Sequence, residues 1–304
     1  VNSEGLSGST NLFITDDLSE TSGLSIHRED LTESTGLTIK PASGVTATLE
    51  VISGGGDGIA VVKTDHVTID GSNEPGGSTR DLTITSADSN LVNMIWTKET
   101  AGTTIANTNL TYTGTASPNG IATNESGAKA TDALTVFNNS IGSANGDFGT
   151  AVGVWGYTDN NVTNTTVANN RLYATYRGIA TWRAENNTFI GNTISIDSPS
   201  EDKSRYAAIY LALNFGTTNV IGNEIVGLQV NRSTSAGYAA GILFNASLGT
   251  VNVFNNTIAA DNFTNTGAAT GNKVFVIGFD NANGNSANHI YHNTVRIGSS
   301  SETG

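Results

Sequence analysis

The sequence predicts an all-β chain wound as a right-handed parallel β-helix, with an irregular capping segment at its N-terminus. Three observations predict it. The first is a phrase of an apolar residue, two others, Asn, one other and an aliphatic. It reads Val136-Phe-Asn-Asn139-Ser-Ile141, Val167-Ala-Asn-Asn170-Arg-Leu172, Phe189-Ile-Gly-Asn192-Thr-Ile194, Val220-Ile-Gly-Asn223-Glu-Ile225, Val253-Phe-Asn-Asn256-Thr-Ile258 and Ile290-Tyr-His-Asn293-Thr-Val295. Successive Asn residues stand 31, 22, 31, 33 and 37 positions apart, the spacing of a repeat with one supersecondary unit per period. The second is an alternating strand upstream of these phrases, as in Ala151-Val-Gly-Val-Trp155 and Ala208-Ile-Tyr-Leu-Ala-Leu213, the period-2 signature of a half-buried strand. The third is that no segment carries a 3.6-residue apolar period.

Taken in order, residues 1–34 lack the pattern and are expected to cap the open end, leaving 35–304 as the coil. Between 36 and 86 the strands are short and bounded by turn residues, such as Gly36-Leu-Thr-Ile-Lys-Pro41, Thr46-Ala-Thr-Leu-Glu-Val-Ile52 and Asp81-Leu-Thr-Ile-Thr85. Ile105-Ala-Asn-Thr-Asn-Leu110 fits one more turn, with Thr108 where the Asn would sit. From Asn139 onward each turn reads as strand, tight corner, strand and loop, and the 22-residue interval is close to a bare turn. The chain travels the same way round each time, so strands of successive turns stack in parallel. Asn suits a sharp corner because it tolerates the left-handed backbone. Its amide can also bond the Asn above and below, so Asn139, Asn170, Asn192, Asn223, Asn256 and Asn293 are expected to form a ladder.

Composition narrows the function classes. The chain has 304 residues, 37% of them hydrophobic and only 13% charged. A thin column of core with much surface explains these low values. With 14 basic against 27 acidic residues the net charge is −13, and no Lys/Arg cluster of phosphate-binding size exists, which argues against nucleic acid. No apolar run approaches the roughly 20 residues that cross a bilayer. Cys is absent, which removes disulfides, thiol nucleophiles and Cys-based zinc sites. An acidic surface rich in Thr, Asn and Gly fits a bacterial extracellular protein. The start at Val1, without initiator Met or signal peptide, is expected of a processed product or an excised piece.

The run Leu37-Thr-Ile-Lys-Pro-Ala-Ser-Gly-Val45, with Asp65-His-Val-Thr-Ile-Asp-Gly-Ser-Asn73 and Gly77-Ser-Thr-Arg-Asp-Leu-Thr-Ile84, resembles a module of large secreted surface proteins of Bacteroidetes-type bacteria. Those proteins carry parallel β-helix repeats and are often exported by type IX secretion through a C-terminal sorting domain, which is not visible in this sequence. The resemblance covers about residues 36–86 and implies an exported surface protein. It brings no catalytic residues with it.

Chemistry-bearing residues gather in the middle turns. Arg177, Arg183 and Glu185, with Arg205 and Tyr206 one turn on and Asp159 before them, are the best available set for polysaccharide cleavage. Hydrolysis needs two carboxylates a few ångströms apart, and elimination needs a base. The plainer reading is a solvated strand face whose Arg stems cover apolar surface. The rings of Trp155, Trp182, Tyr206 and Tyr210 are expected to form a carbohydrate-binding strip if they face outward, or core if they do not. His289 and His292 fall on opposite faces of a strand by alternation, and His66 reads as a surface residue. Gly54-Gly-Gly-Asp-Gly58 and Asp70-Gly-Ser-Asn73 read as turns, although acidic loops leave room for a structural Ca²⁺; nothing else calls for a metal or cofactor. The Thr-X-Thr pairs recur at no common place in the turns and read as ordinary strand residues.

Two functions from different classes follow. One is a non-enzymatic stalk, adhesin or filament unit of a bacterial surface protein. Its open ends would stack on identical copies or on neighbouring domains, because an uncovered end of a coil exposes strand edges. The other is a polysaccharide lyase or glycoside hydrolase on the middle turns. Surface glycans serve as substrate there, or as ligand if the aromatic strip makes a binding module.

Overall fold

In the computed structural model the described residues are 8–29, 31–123, 129–143, 147–158, 160–198, 205–231, 238–259, 263–266, 273–280 and 287–296. They wind into ten turns with three parallel faces, a parallel β-helix. The first face stacks Thr10–Ile14, Leu37–Pro41, Val67–Asp70, Thr104–Ala106, Thr135–Phe137, Thr166–Ala168, Thr188–Ile190, Thr217–Ile221, Thr250–Phe254 and Ala287–Tyr291. The second face runs from Leu18–Glu20 through Ala47–Val51, Leu82–Ser86, Thr108–Tyr112 and Ser140–Ile141 to Thr193–Ser198, Glu224–Asn231, Thr257–Ala259 and Thr294–Arg296. The third contains Leu24–His27, Asp57–Val62, Asn93–Lys98, Asn119–Thr123, Phe148–Trp155, Arg205–Ala212, Tyr238–Asn245 and Lys273–Asp280. In the sixth turn the strand Arg171–Trp182 serves both faces. Its first half pairs with Ser140–Ile141 and its second with Phe148–Trp155.

The coil begins earlier than residue 35. Thr10–Ile14, Leu18–Glu20 and Leu24–His27 pair in parallel with the strands of the second turn on all three faces, so the segment 1–34 contains a full turn. It lacks the inward-outward contrast of the later turns. Leu12, Phe13 and Leu18 are exposed, Phe13 by 56%. At the other end of the described coil Ile290, Tyr291 and Val295 are exposed as well.

The expected ladder is present at the corner between the first and second faces. Each Asn donates its Nδ2 to the Oδ1 of the next: Asn139 to Asn170 at 3.0 Å, Asn170 to Asn192 at 3.0 Å, Asn192 to Asn223 at 2.9 Å, Asn223 to Asn256 at 3.0 Å and Asn256 to Asn293 at 2.9 Å. The same Oδ1 atoms accept the backbone N–H of the preceding rung. Thr108 takes the place predicted for it, giving both N–H and Oγ1–H to Asn139 Oδ1. One part of the reasoning is corrected. The left-handed backbone falls on the residue before each ladder Asn: Asn107, Asn138, Asn169, Gly191, Gly222, Asn255 and His292, with φ from 52° to 65°. The ladder Asn itself is selected for buried hydrogen bonding, since its amide carries donor and acceptor on separate atoms and so reaches the rungs on both sides at once.

A second corner, from the third face to the next turn's first face, carries two left-handed residues three apart at four of the turns, and a single one (Ala133, Asn164 or Ala246) at three others. The pairs are Lys63 and His66, Glu99 and Gly102, Arg183 and Asn186, then Leu213 and Gly216. His66 therefore serves the backbone, and its ring packs against Gly102, where a Cβ would stand 2.8 Å from Nδ1. His292 is likewise a corner residue, while His289 extends an outer ladder by bonding Asn252, which donates to Asn219. Both glycine phrases are turns. Asp88 receives Ser53 Oγ–H and Gly54 N–H at 2.9 and 2.8 Å, which closes the loop before Asp57. The N–H of Asn90 first, and then these two bonds, hold its carboxyl below the ordinary range. Asp70 caps Ser72 and bonds Asn107. Among the described residues no group of three or more His, Cys, Asp or Glu is gathered as for a metal ion. No helix among them is long and apolar enough to cross a membrane.

Candidate functional site

The third face carries the chemistry on its outer side. Ile95, Ile121, Val152, Ile179, Ile209 and Ile242 point into the core. The residues that follow them in sequence face outward by strand alternation. In register these are Trp96, Ala122, Gly153, Ala180, Tyr210 and Leu243, one per turn from the third to the eighth. Gly153 has no side chain, and the indole of Trp155 lies over it. A Cβ at Gly153 would meet the ring atoms of Trp155 at 2.3–2.6 Å. The Trp96 ring and the Trp155 ring thus occupy one column two rungs apart, about 10 Å at the usual strand spacing. Trp182 pairs in register with Trp155 on the next turn and is 43% exposed.

Beside the rings runs a polar column. Asp57, Asn93, Asn119, Thr150 and Arg177 are successive register partners. Asn119 Nδ2 donates to Asn93 Oδ1 at 2.8 Å, and Asn93 Nδ2 donates to Asp57 Oδ1 at 2.6 Å. Burial pushes the Asp57 carboxyl above the ordinary range, partly offset by the bond from Asn93. Because the folded-state value is raised, ionisation of Asp57 weakens the fold above that value, and the loss is recovered as the pH falls through it. Asp57→Asn keeps an acceptor for Asn93 without the charge. It is expected to raise the melting temperature near neutral pH, with the gain shrinking as the pH drops through the raised pKa and vanishing below the ordinary Asp range. Melting curves of both proteins across pH check this; a variant equal to or below wild type at neutral pH contradicts it.

The column ends on Arg177. Its guanidinium lies 4.2 Å from the Tyr176 ring centroid and 3.6 Å from that of Tyr210, and Nη2 donates to the Tyr176 hydroxyl at 2.6 Å. Tyr176 rests edge-on against Tyr206 at 5.3 Å. Desolvation lowers the Arg177 pKa and raises that of Tyr176. Beyond this point Tyr210, Ala212, Ala240 and Leu243 form a second, buried apolar cluster on the outer side of the face.

The expected sites are thereby sorted. Trp155 and Trp182 face outward as a binding strip requires. Tyr206 is fully buried in the core and Tyr210 is 3% exposed beneath Arg177, so neither can stack on a sugar. Arg177 does not meet Arg183 and Glu185. It stands five residues before Trp182 in one strand, roughly 17 Å along the face, and those two lie beyond Trp182 on the corner. Arg183 has φ 54° and donates to the Thr158 carbonyl at 3.1 Å, and Glu185 accepts from Asn161 Nδ2 at 3.5 Å. Asp159 lies outside the described residues. The set Arg177, Arg183 and Glu185 is therefore not one catalytic centre. Sequence reading missed Trp96 and the Asp57–Asn93–Asn119 column, whose common column shows only once the register is known. It also missed a charged corner group in which Lys63 pairs with Glu29 at 3.8 Å, Lys129 with Asp65 at 3.0 Å and Lys98 with Glu99 at 4.0 Å.

No protein-family model matches the chain, and no curated protein sequence matches it. Solved structures do. A pectate lyase, Pel9A, superposes with a TM-score of 0.56 at 12% identity over 94% of this chain and 69% of its own. PfbA, a surface adhesin of Streptococcus pneumoniae, aligns at 0.43 and 14% identity over 94% of this chain and 82% of its own. The enzymatically active domain of bacteriophage CBA120 tailspike protein 2 aligns at 0.42 and 15% identity over 90% and 43%. The fold is a parallel β-helix. At such identities the likeness to Pel9A is one of fold.

Proposed function

We propose that the chain is a structural and adhesive β-helix segment of an extracellular or cell-surface bacterial protein, and that it holds a glycan chain along the outer side of its third face. The observation that carries this reading is the line of outward-facing indoles, the half-buried Trp96 and Trp155 two rungs apart with the exposed Trp182 beside them. The C–H face of a pyranose ring is apolar and slightly electropositive, so it seats on the electron-rich face of an aromatic ring. The interval of about 10 Å between rungs spans about two sugar units of an extended chain. Asn119, half-buried at the edge of the polar column, flanks the rings as a hydrogen-bonding group for hydroxyls. Binding is favoured over cleavage because Arg177, Arg183 and Glu185 do not converge, whereas acid–base hydrolysis needs two carboxylates flanking one bond. Export to the surface follows from the resemblance over residues 36–86.

Titrating tryptophan emission with a panel of oligosaccharides tests the reading. Saturable quenching is expected with at least one of them, weakened about tenfold in Trp155→Ala and in Trp182→Ala. Silence across the panel, or unchanged affinity in both variants, contradicts it. A second proposal, stacking of copies end to end, is favoured by the exposed apolar residues at both ends of the described coil: Leu12 and Phe13 at one, Ile290 and Tyr291 at the other. Sedimentation velocity over rising concentration should show growing species; a single monomeric boundary at every concentration refutes stacking.

A further inference from the structure

We infer that the glycan track is selective for an acidic chain, with a sugar carboxylate seated on the Arg177 guanidinium at a station two rungs beyond the Trp155 ring. This rests on the glycan-binding reading and deepens it. The outward column of the third face repeats its large contacts every second turn. Trp96 stands on the third turn and the Trp155 ring covers Gly153 on the fifth. On the seventh, Tyr210 carries the Arg177 guanidinium 3.6 Å above its ring. An extended chain whose pyranose rings rest on the first two stations brings the ring two units further on to the third. What it meets there is a cation in place of an indole face.

The chemistry of that cation favours an anion. Arg177 is clamped between two tyrosine rings, and the Tyr176 hydroxyl fixes Nη2. Its guanidinium is thus pre-oriented, and a carboxylate would bind it with little loss of side-chain entropy. The groups coupled most strongly to its charge are Tyr176, Tyr210 and Arg205, none of them a carboxylate. Ion pairs in the coil include those of His27, Lys40, Lys63, Lys98 and Lys129, whereas among the described residues Arg177 pairs with no carboxylate. Arg177 Nε is buried and without a hydrogen-bond partner. A desolvated cation lacking an internal counter-charge binds an external one more strongly than a solvated surface Arg does. The net charge of −13 does not oppose this at close range. Physiological salt screens charges beyond about 8 Å, so the groups beside the ligand decide.

The test compares two hexasaccharides, one of alternating glucuronate and N-acetylglucosamine and the same chain with its carboxyl groups reduced to alcohols. Both are titrated against wild type, Arg177→Gln and Arg177→Lys by calorimetry at two salt concentrations, with folding checked by thermal melting. Wild type is expected to bind the acidic chain about tenfold or more tighter than the reduced one, with the margin narrowing at higher salt. Arg177→Gln should lower acidic-chain affinity to that of the reduced chain, and Arg177→Lys should keep part of the preference. Equal wild-type affinities, or a preference that survives in Arg177→Gln, overturn the acid selectivity while leaving glycan binding intact. Binding of neither chain, together with silence across the wider panel, overturns both.

Discussion

Asn192→Ala is expected to lower the stability of the coil by about 3–4 kcal/mol. Asn192 is fully buried at the middle of the ladder. Its Oδ1 accepts the N–H and the Nδ2 of Asn170, both at 3.0 Å, and its Nδ2 donates to the Val167 carbonyl at 2.8 Å and to Asn223 at 2.9 Å. Truncation leaves the Asn170 backbone N–H buried without an acceptor. A stranded buried donor or acceptor costs about 1–3 kcal/mol, and the vacated volume adds to it. In a coil stabilised by neighbouring turns, a break in the middle also weakens coupling between the two halves. Urea unfolding should therefore shift to lower concentration and split into two transitions. Asn219→Ala is the control. It removes only an outer-ladder acceptor for Asn252 and should stay within about 0.5 kcal/mol. An Asn192→Ala protein within about 1 kcal/mol of wild type would contradict the ladder's role.

Gly71→Ala is expected to disrupt the stacking of the third turn on the fourth. A Cβ at Gly71 would stand 1.9 Å from the Asn107 carbonyl oxygen, 2.6 Å from its carbon and 3.0 Å from Thr108 Cα. All three atoms are backbone, so no side-chain rotation relieves the clash. The Gly71 N–H donates to the Ala106 carbonyl at 2.8 Å, and its carbonyl accepts from Asp81 and Leu82. Moving the strand away would break this junction, where the loop carrying Arg80 returns to the coil. Overpacking of this kind costs about 3 kcal/mol or more when backbone must move. Arg80 adds a local sensor. It spans two turns to bond Asn138 through Nε and Nη2 at 2.7 and 2.8 Å. Hydrogen exchange should report faster opening around residues 71–82 and 106–109 in Gly71→Ala, with a lower melting temperature. A variant as stable and as protected as wild type would contradict the close approach of Gly71 to the fourth turn.

Repetition made most of the fold legible. The ladder Asn positions, the substitution of Thr108 and the parallel stacking all follow from the recurring phrase, because one buried amide must meet its copy in each turn. The N-terminal turn stayed hidden. Thr10–Ile14 has no corner Asn, and its successive Leu12 and Phe13 are both exposed, so neither the phrase nor the alternation marks it. The left-handed corner positions were displaced by one residue. Gly191, Gly222 and His292 share that place with Asn107 and Asn138, and this mixture of residue types carries no single-letter signal.

The site was half legible. Trp155 and Trp182 were identifiable as rings on alternating strands, and they do face out. Tyr206 and Tyr210 were not separable from them, because strict alternation puts both on one side. The consecutive residues Ala208 and Ile209 both join the core, and this break in the alternation turns Tyr206 into the core while Tyr210 stays outside. Trp96 lies 59 residues before Trp155, so their common column exists only through the pairing of intervening turns. The same holds for the Asp57, Asn93 and Asn119 column. Arg177 was grouped with Arg183 and Glu185 by sequence proximity, but a strand carries neighbours apart at about 3.3 Å per residue.

The crystal structure of the protein soaked with an oligosaccharide chosen from the emission titration tests the glycan track most directly. Density is expected over the third face, with sugar rings on Trp96 and Trp155 and the chain crossing successive strands parallel to the coil axis. A sugar chain lying on the first or second face, or running along a strand away from these rings, would contradict it.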